Sequence, residues 1–258
     1  MRAVTAGAIA GNYGPEPVPS AIAQCKESLA LAAGNRRSEA IVMSYLAELE
    51  ALNGNFADAR KLYSKARAML EDAGAGVHAS SISTFSGPVE LLAGDPAGAE
   101  VELRRDYEAL AQMGETYFAS TIAALLAEAL YRLGRFDEAE SFTRKAEELA
   151  SEDDVWTQSI WRCVRAKVLA RDAGTPGQAI SLARGAIEIL RTADAPVWLA
   201  NGLRDSADVF EACGEPAEAQ ALLAQALALY ERKQAPVPAE EVRMRLARTQ
   251  TAAAAALP

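Results

Sequence analysis

The sequence predicts an all-α protein, a solenoid of about six helical hairpins with a 40-residue period and a C-terminal capping helix. Three observations carry this. Glycine recurs at Gly14, Gly54, Gly94, Gly134, Gly174 and Gly214, each 40 residues from the next, with no insertion or deletion. Alanine follows five residues later at Ala59, Ala99, Ala139, Ala179 and Ala219, and twelve later at Ala66, Ala146, Ala186 and Ala226; Pro19, Lys26 and Asp106 are the exceptions. Alanine and leucine, which lose little rotamer freedom on a helix, recur throughout, while strand-like runs of alternating Val, Ile, Thr and Tyr are absent. A fixed period of this length marks stacked units, none of which buries its apolar face alone.

The elements follow in order. Each unit opens with an apolar helical pattern, clear in Ile122, Leu125, Leu126, Leu130 and Leu133. It ends at the column glycine, the C′ position, where a left-handed backbone is cheap only without a β-carbon. A second helix starts at once. Pro96, Pro176 and Pro216 stand two residues after their glycines, where a missing N–H costs nothing, and Asp58, Asp137, Glu138 and Glu218 complement the dipole of the first turn. The stripe Ala219, Leu222, Leu223, Ala226 and Leu229 shows the column alanines sharing one face, which lets the two helices pack closely.

The hairpins are expected at about 1–34, 38–73, 79–113, 117–151, 155–193 and 197–234, within a single solenoid over 1–248. Met1 to Gly11 is apolar with one basic residue, but it is rich in Ala and Gly and fits the repeat, so it reads as a first helix rather than a secretory signal. In the third unit Ser86-Gly87-Pro88 falls inside the expected first helix, where proline either kinks the helix and widens the groove or shortens the helix. Pro236 and Pro238 end the sixth hairpin, a capping helix follows over 238–248, and 249–258 is a flexible tail.

A net charge of −9, with no Lys/Arg run longer than two, excludes the basic stripe that phosphate neutralisation needs, so nucleic acid is not the expected partner. No apolar run approaches the ~20 residues of a membrane span. Cys25, Cys163 and Cys213 are few, odd in number and widely spaced, which suits small apolar side chains better than a disulfide framework. The expected location is cytoplasmic.

Starting material for catalysis is scarce. His78, the only histidine, lies in the linker Gly74–Ser81, without the spacing of a metal site or a Cys/His nucleophile. Asp153-Asp154 and Glu147-Glu148 sit at a helix end, where a solvated acidic surface is the simpler reading than a divalent metal. No G-x-x-x-x-G-K-[ST], G-x-S-x-G or strand-linked G-x-G-x-x-G occurs. Neither an enzyme nor a cofactor or metal is expected.

The glycine and the two alanines resemble the second half of the tetratricopeptide consensus, and Leu46-Ala47 and Leu126-Ala127 stand where that consensus has Leu-Gly. The resemblance implies a right-handed superhelix, with helices longer than in the usual 34-residue repeat. The stretches Gly14–Ala32 (GPEPVPSAIAQCKESLALA), Leu91–Thr116 (LLAGDPAGAEVELRRDYEALAQMGET), Leu125–Leu149 (LLAEALYRLGRFDEAESFTRKAEEL), Trp161–Ala170 (WRCVRAKVLA) and Ala226–Lys233 (ALALYERK) are similar to a particular setting of such repeats. This is the C-terminal tail of bacterial regulators that join a class III nucleotide cyclase and an AAA-type ATPase to a tetratricopeptide-like region. The resemblance implies a regulatory or interaction module without chemistry of its own; neither catalytic part is present, so the chain reads as a detached tail.

In tetratricopeptide arrays the first helix of each hairpin lines the concave face. Nine residues before each glycine stand Tyr45, Phe85, Leu125, Arg165 and Asp205; six before stand Glu48, Pro88, Glu128, Val168 and Asp208. Tyr131, Arg132, Trp161, Asn201 and Arg204 complete the candidate groove. Its apolar N-terminal part would anchor an amphipathic helix or extended peptide, and its charged C-terminal part would orient it. The aromatic members equally suit an inter-repeat core, whereas the charged ones are harder to bury unpaired. Two functions follow: a non-catalytic scaffold or regulatory module binding a protein or peptide in the groove, in nucleotide signalling or transcriptional regulation, or a sensor of a small molecule bound there. Self-association stays open.

Overall fold

The computed structural model describes residues 2–255, with side chains over 6–248. Every regular element among them is helical. Six hairpins follow one another: α1 (Arg2–Tyr13) and α2 (Val18–Leu31); α3 (Arg36–Leu52) and α4 (Phe56–Asp72); the short α5 (Gly76–Ser80) leading into α6 (Ser83–Leu92) and α7 (Pro96–Gln112); α8 (Tyr117–Arg132) and α9 (Phe136–Leu149); α10 (Val155–Leu169) and α11 (Pro176–Arg191); α12 (Pro196–Ala212) and α13 (Pro216–Lys233). The closing helix α14 (Pro236–Ala255) runs well past residue 248, because the alanine-rich stretch where a tail is expected has the highest helix propensity of any residue type. Residues 256–258 of that expected tail lie outside the described residues, as does Met1.

The hinges are physical. At Gly54 φ is +93°, its N–H binds the Ala51 carbonyl (3.0 Å), and the Asn55 N–H binds the Glu50 carbonyl (2.8 Å). This bond pair satisfies carbonyls that a helix end otherwise strands. It recurs at Gly94, Gly134 and Gly214, and again at Gly74 and Gly114, in a second glycine series offset by 20 residues that ends the second helices. The column alanines Ala59, Ala99, Ala139, Ala179 and Ala219 are at most 3% exposed, which makes them contact points between paired helices.

Two column glycines depart from the expected left-handed C′ role, although both lie in hairpin turns. Around Gly14, Pro15, Pro17 and Pro19 fix where α2 begins, and the register shifts by one residue. Val18 and Cys25 are buried where the column has Pro19 and Lys26. Before Gly174, α10 stops at Leu169 and side chains close the turn: Thr175 Oγ1 donates to the Leu169 carbonyl (2.9 Å), and Asp172 Oδ1 accepts from the Gly174 N–H (2.9 Å). The third unit also differs in detail. Its α6 continues through Pro88, and the break comes earlier, at Ser81-Ile82, where shorter-range bonds such as Ile82 N–H to the Ala79 carbonyl (3.3 Å) replace the α pattern. Asp106, the acidic exception in an alanine column, accepts there from the Ser83 N–H (3.2 Å) and from both terminal nitrogens of Arg67 (2.9 and 2.8 Å).

The first helices pack side by side in the order α1, α3, α6, α8, α10, α12, and the array curls until α12 meets α1 and α14 meets α3. The closure is staggered: Tyr13, the last residue of α1, packs on Trp198 in the first turn of α12, with ring centroids 4.6 Å apart. Beside it the Lys233 ammonium, 1% exposed, donates to the carbonyls of Gly11 (2.8 Å) and Gly14 (2.6 Å). One apolar cluster runs across this seam from Val18 and Leu46 to Leu203, Phe210 and Tyr230. The exposed surface of 11612 Å² lies near the roughly 10,900 Å² of a compact monomer of 27.3 kDa. No helix of the described residues is long and apolar enough to cross a membrane.

Candidate functional site

The curl converts the expected groove into a central cavity of about 170 Å³, walled by α1, α3, α6, α8, α10, α12 and α14, with Leu190 reaching it from α11. Leu91, Leu92, Leu125, Ile160 and Val197 make its apolar side. These positions follow from the solenoid itself: the second helices occupy the outside, so the inner faces of the first helices have only one another to face.

One end of the wall is a paired charge network. Lys167, 3% exposed, reaches from α10 to Glu128 on α8 (2.5 Å) and Asp205 on α12 (3.3 Å), and so ties three successive units. Glu128 also holds Arg132 (2.7 Å), whose second nitrogen donates to the Leu91 carbonyl (2.8 Å). Asp205 holds Arg204 (3.0 Å), which lies 3.7 Å from Glu241 on α14. Burial opposes ionisation of Asp205, but Lys167, Arg204 and Arg132 hold its carboxyl well below the usual carboxylate range. Burial likewise opposes the charge on Lys167, and Asp205 and Glu128 overcome it, raising its pKa.

The other end is aromatic and carries Glu48. Five rings form a continuous row across the seam: Phe85 on Tyr45 (5.0 Å), Tyr45 on Tyr13 (5.6 Å), Tyr13 on Trp198 and Trp198 stacked on Trp156 (5.3 Å, 5° between planes). Tyr13, Trp156 and Trp198 line the cavity with Glu48. The Glu48 carboxylate accepts from the Asn12 side-chain amide, and burial pushes its pKa up to about 8.

Of the candidate groove residues, Glu48, Pro88, Leu125, Glu128, Arg132, Asn201, Arg204 and Asp205 meet at the cavity. Asn201 is held there by the Tyr230 hydroxyl (2.5 Å). Tyr45 and Phe85 stand behind the cavity wall in the aromatic row, and Tyr131 packs on Phe136 (5.5 Å) under the Lys167 ammonium. Asp208 binds Arg245 (2.5 Å) and fastens α14 to α12. Trp161 and Arg165 face α9 instead: Arg165 stacks over the Trp161 ring (4.5 Å) and binds Glu147 (2.6 Å) and Thr143 (3.0 Å). His78 lies on α5 beside Arg37, where burial and that guanidinium lower its pKa. Asp154 caps α10 by accepting from the Thr157 N–H (3.1 Å).

Sequence reasoning passed over Lys167, Tyr13, Trp156 and Trp198. Lys167 carried a signal, since seven residues before the other column glycines stand Gly7, Ala47, Gly87, Ala127 and Ala207. A lone lysine in a column of small buried residues needs buried acids around it. The rings of Tyr13 and Trp198 carried none, because they meet only through the closure.

No protein-family model and no curated protein sequence matches the chain. Among solved structures, BtubC from P. vanneervenii is 18% identical with a TM-score of 0.57, over 83% of this chain and 91% of its own. A Rap protein complexed with Competence and Sporulation Factor is 16% identical with a TM-score of 0.57, over 92% of this chain and 71% of its own. A putative kinesin light chain of P. anserina with TPR-like repeats is 17% identical with a TM-score of 0.49, over 74% of this chain and 94% of its own. The fold is a tetratricopeptide-like solenoid. Its departure from an open solenoid, the staggered seam between α1 and α12, gives the tetratricopeptide-like inner face a central pocket that stays partly open to solvent.

Proposed function

We propose that the chain is a non-catalytic binding module with a regulatory role, whose partner is a protein or peptide that inserts a short extended segment or a terminus into the central cavity. The observation that carries this is the set of incompletely buried rings, Tyr13, Trp156 and Trp198, turned into a cavity whose remaining wall is part leucine and isoleucine and part the paired charge network. Rings of this kind, apolar in body and left uncovered at the centre of a concave surface, are the usual anchors of binding energy. An extended segment, narrower than an α-helix of about 10 Å with its side chains, is the form this reading takes. The Rap protein, of similar fold, is seen complexed with Competence and Sporulation Factor, which supports a bound factor as a use of such a scaffold. A place in nucleotide signalling or transcriptional regulation rests on the resemblance to regulator tails, and a cytoplasmic location on the sequence.

The cavity volume itself favours a second reading, a small-molecule sensor. A dry cavity of about 150 Å³ is enough for a benzene-sized guest, and a guest touching both α1 and α12 would stabilise the seam. Titration of tryptophan emission against a peptide library and a metabolite set tests both readings, with Leu125→Phe, which fills the cavity, as the control. The reading expects ligands that shift the emission of the wild-type chain and fail to shift that of Leu125→Phe. Ligands that bind both proteins equally well would place the site elsewhere.

A further inference from the structure

We propose that the cavity selects an organic cation, an ammonium head seated against the Glu48 carboxylate beside the rings of Tyr13 and Trp198. This rests on the reading of the cavity as a binding site and names the chemistry of its ligand. The argument begins with charge. The other ionised side chains on the wall are matched: Glu128 by Arg132 and Lys167, Asp205 by Lys167 and Arg204, and Glu241 by Arg204. Glu48 stands apart from that network. Its hydrogen-bond partner is the neutral amide of Asn12, and the groups that feel its charge, Tyr13 on α1 and Tyr45 on its own helix, are phenols.

A carboxyl group in an apolar wall without a counter-charge is costly, and the cost falls only when a cation arrives or the group takes up a proton. With burial holding its pKa at about 8, the free protein keeps Glu48 largely protonated at neutral pH. A cation seated beside it would favour the carboxylate, so binding at pH 7 releases up to one proton from Glu48 to the buffer. The rings supply the second half of the recognition. Aromatic faces attract cations held within about 6 Å of their centroids, and more strongly where water is excluded. Tyr13 and Trp198, 4.6 Å apart, border the same space as Glu48, and Trp156 extends the surface behind them. An anionic head would leave Glu48 protonated and would meet the negative faces of the rings, gaining from neither half of the recognition. An ammonium head can belong to a free small amine or to the N-terminus of a peptide; the chemistry is shared.

Tryptophan emission reads the test directly, because Trp156 and Trp198 line the cavity while Trp161 is buried elsewhere. The probes are two matched pairs: choline against 3,3-dimethylbutan-1-ol, and tetra-alanine amide with a free against an acetylated N-terminus. The expected result is that the cationic member of at least one pair binds about tenfold more tightly than its neutral partner, equivalent to about 1.4 kcal/mol. The pair that shows the preference identifies the source as small amine or peptide terminus. Glu48→Gln, which keeps the shape and the Asn12 contact, should abolish the preference and the proton release seen by calorimetry in buffers of different ionisation enthalpy. Equal binding within both pairs, no binding of any probe, or a preference that survives in Glu48→Gln would overturn the proposal. Equal binding that Leu125→Phe blocks would overturn the cation selectivity alone and leave the cavity as the site.

Discussion

At the scale of single residues, the inner wall poses the same problem twice and solves it in two ways. Lys167 occupies a column otherwise filled by glycine and alanine, and is tolerated because Glu128 and Asp205 converge on it from neighbouring units. Removing one member of a buried ion pair costs about 3–5 kcal/mol, since the partner charge is left behind. Arg132 and Arg204 still compensate the acids here, so Lys167→Met should destabilise by about 3 kcal/mol in urea unfolding at pH 7. The loss should shrink as the pH falls and the acids take up protons. Glu48 has no such partner. Its folded-state pKa, about 8, lies above the unfolded value, so the folded chain keeps a proton that the unfolded chain loses. This group therefore costs progressively more stability as pH rises from the unfolded pKa, about 4.3, towards 8. Glu48→Gln should melt close to the wild type at pH 5 and several degrees above it at pH 8. Parallel melting curves across that range would show that Glu48 is not held neutral. The lysine was legible in the sequence as a break in a column; the acid was legible as a groove position, but not as an unpaired one.

At the scale of elements, the hinge is the repeating device, and its energetics are local. The bond pair found at six glycines also closes α13 at Gln234, where φ is +54° without the freedom of glycine. A left-handed conformation costs an ordinary residue roughly 1–2 kcal/mol, partly offset by the greater unfolded entropy of glycine. Gln234→Gly should accordingly stabilise by about 1 kcal/mol, seen as a higher urea midpoint with an unchanged slope. The hairpins were readable because glycine and alanine report backbone geometry and close approach directly. The exceptions were less so: the one-residue shift in the first hairpin comes from three prolines setting the start of α2, and the broken first helix of the third depends on Asp106, distant in sequence, receiving the Ser83 N–H.

At the scale of the whole molecule, the curl decides what the protein offers to a ligand. Solenoid curvature accumulates from a small rotation at each interface, so a repeat sequence specifies neighbours without stating whether the sixth unit returns to the first. Eight of the fifteen candidate groove residues accordingly line the cavity, while Arg165 binds α9 and stacks on Trp161, and Tyr45 and Phe85 continue the aromatic row behind the wall. The seam is held by the apolar cluster that runs across it, by Tyr13 on Trp198, by Lys233 on two carbonyls, and by α14 on α3. Burial pulls the Lys233 ammonium down to about 8, which makes this one of the weaker joints of the ring. The binding readings all depend on its being closed. Small-angle X-ray scattering of the ligand-free chain at pH 7 measures that most directly. A closed ring should give a radius of gyration near the ~18 Å of a compact chain of this length, whereas a value several ångströms larger, with the profile of an extended arc, would show that the ends do not meet.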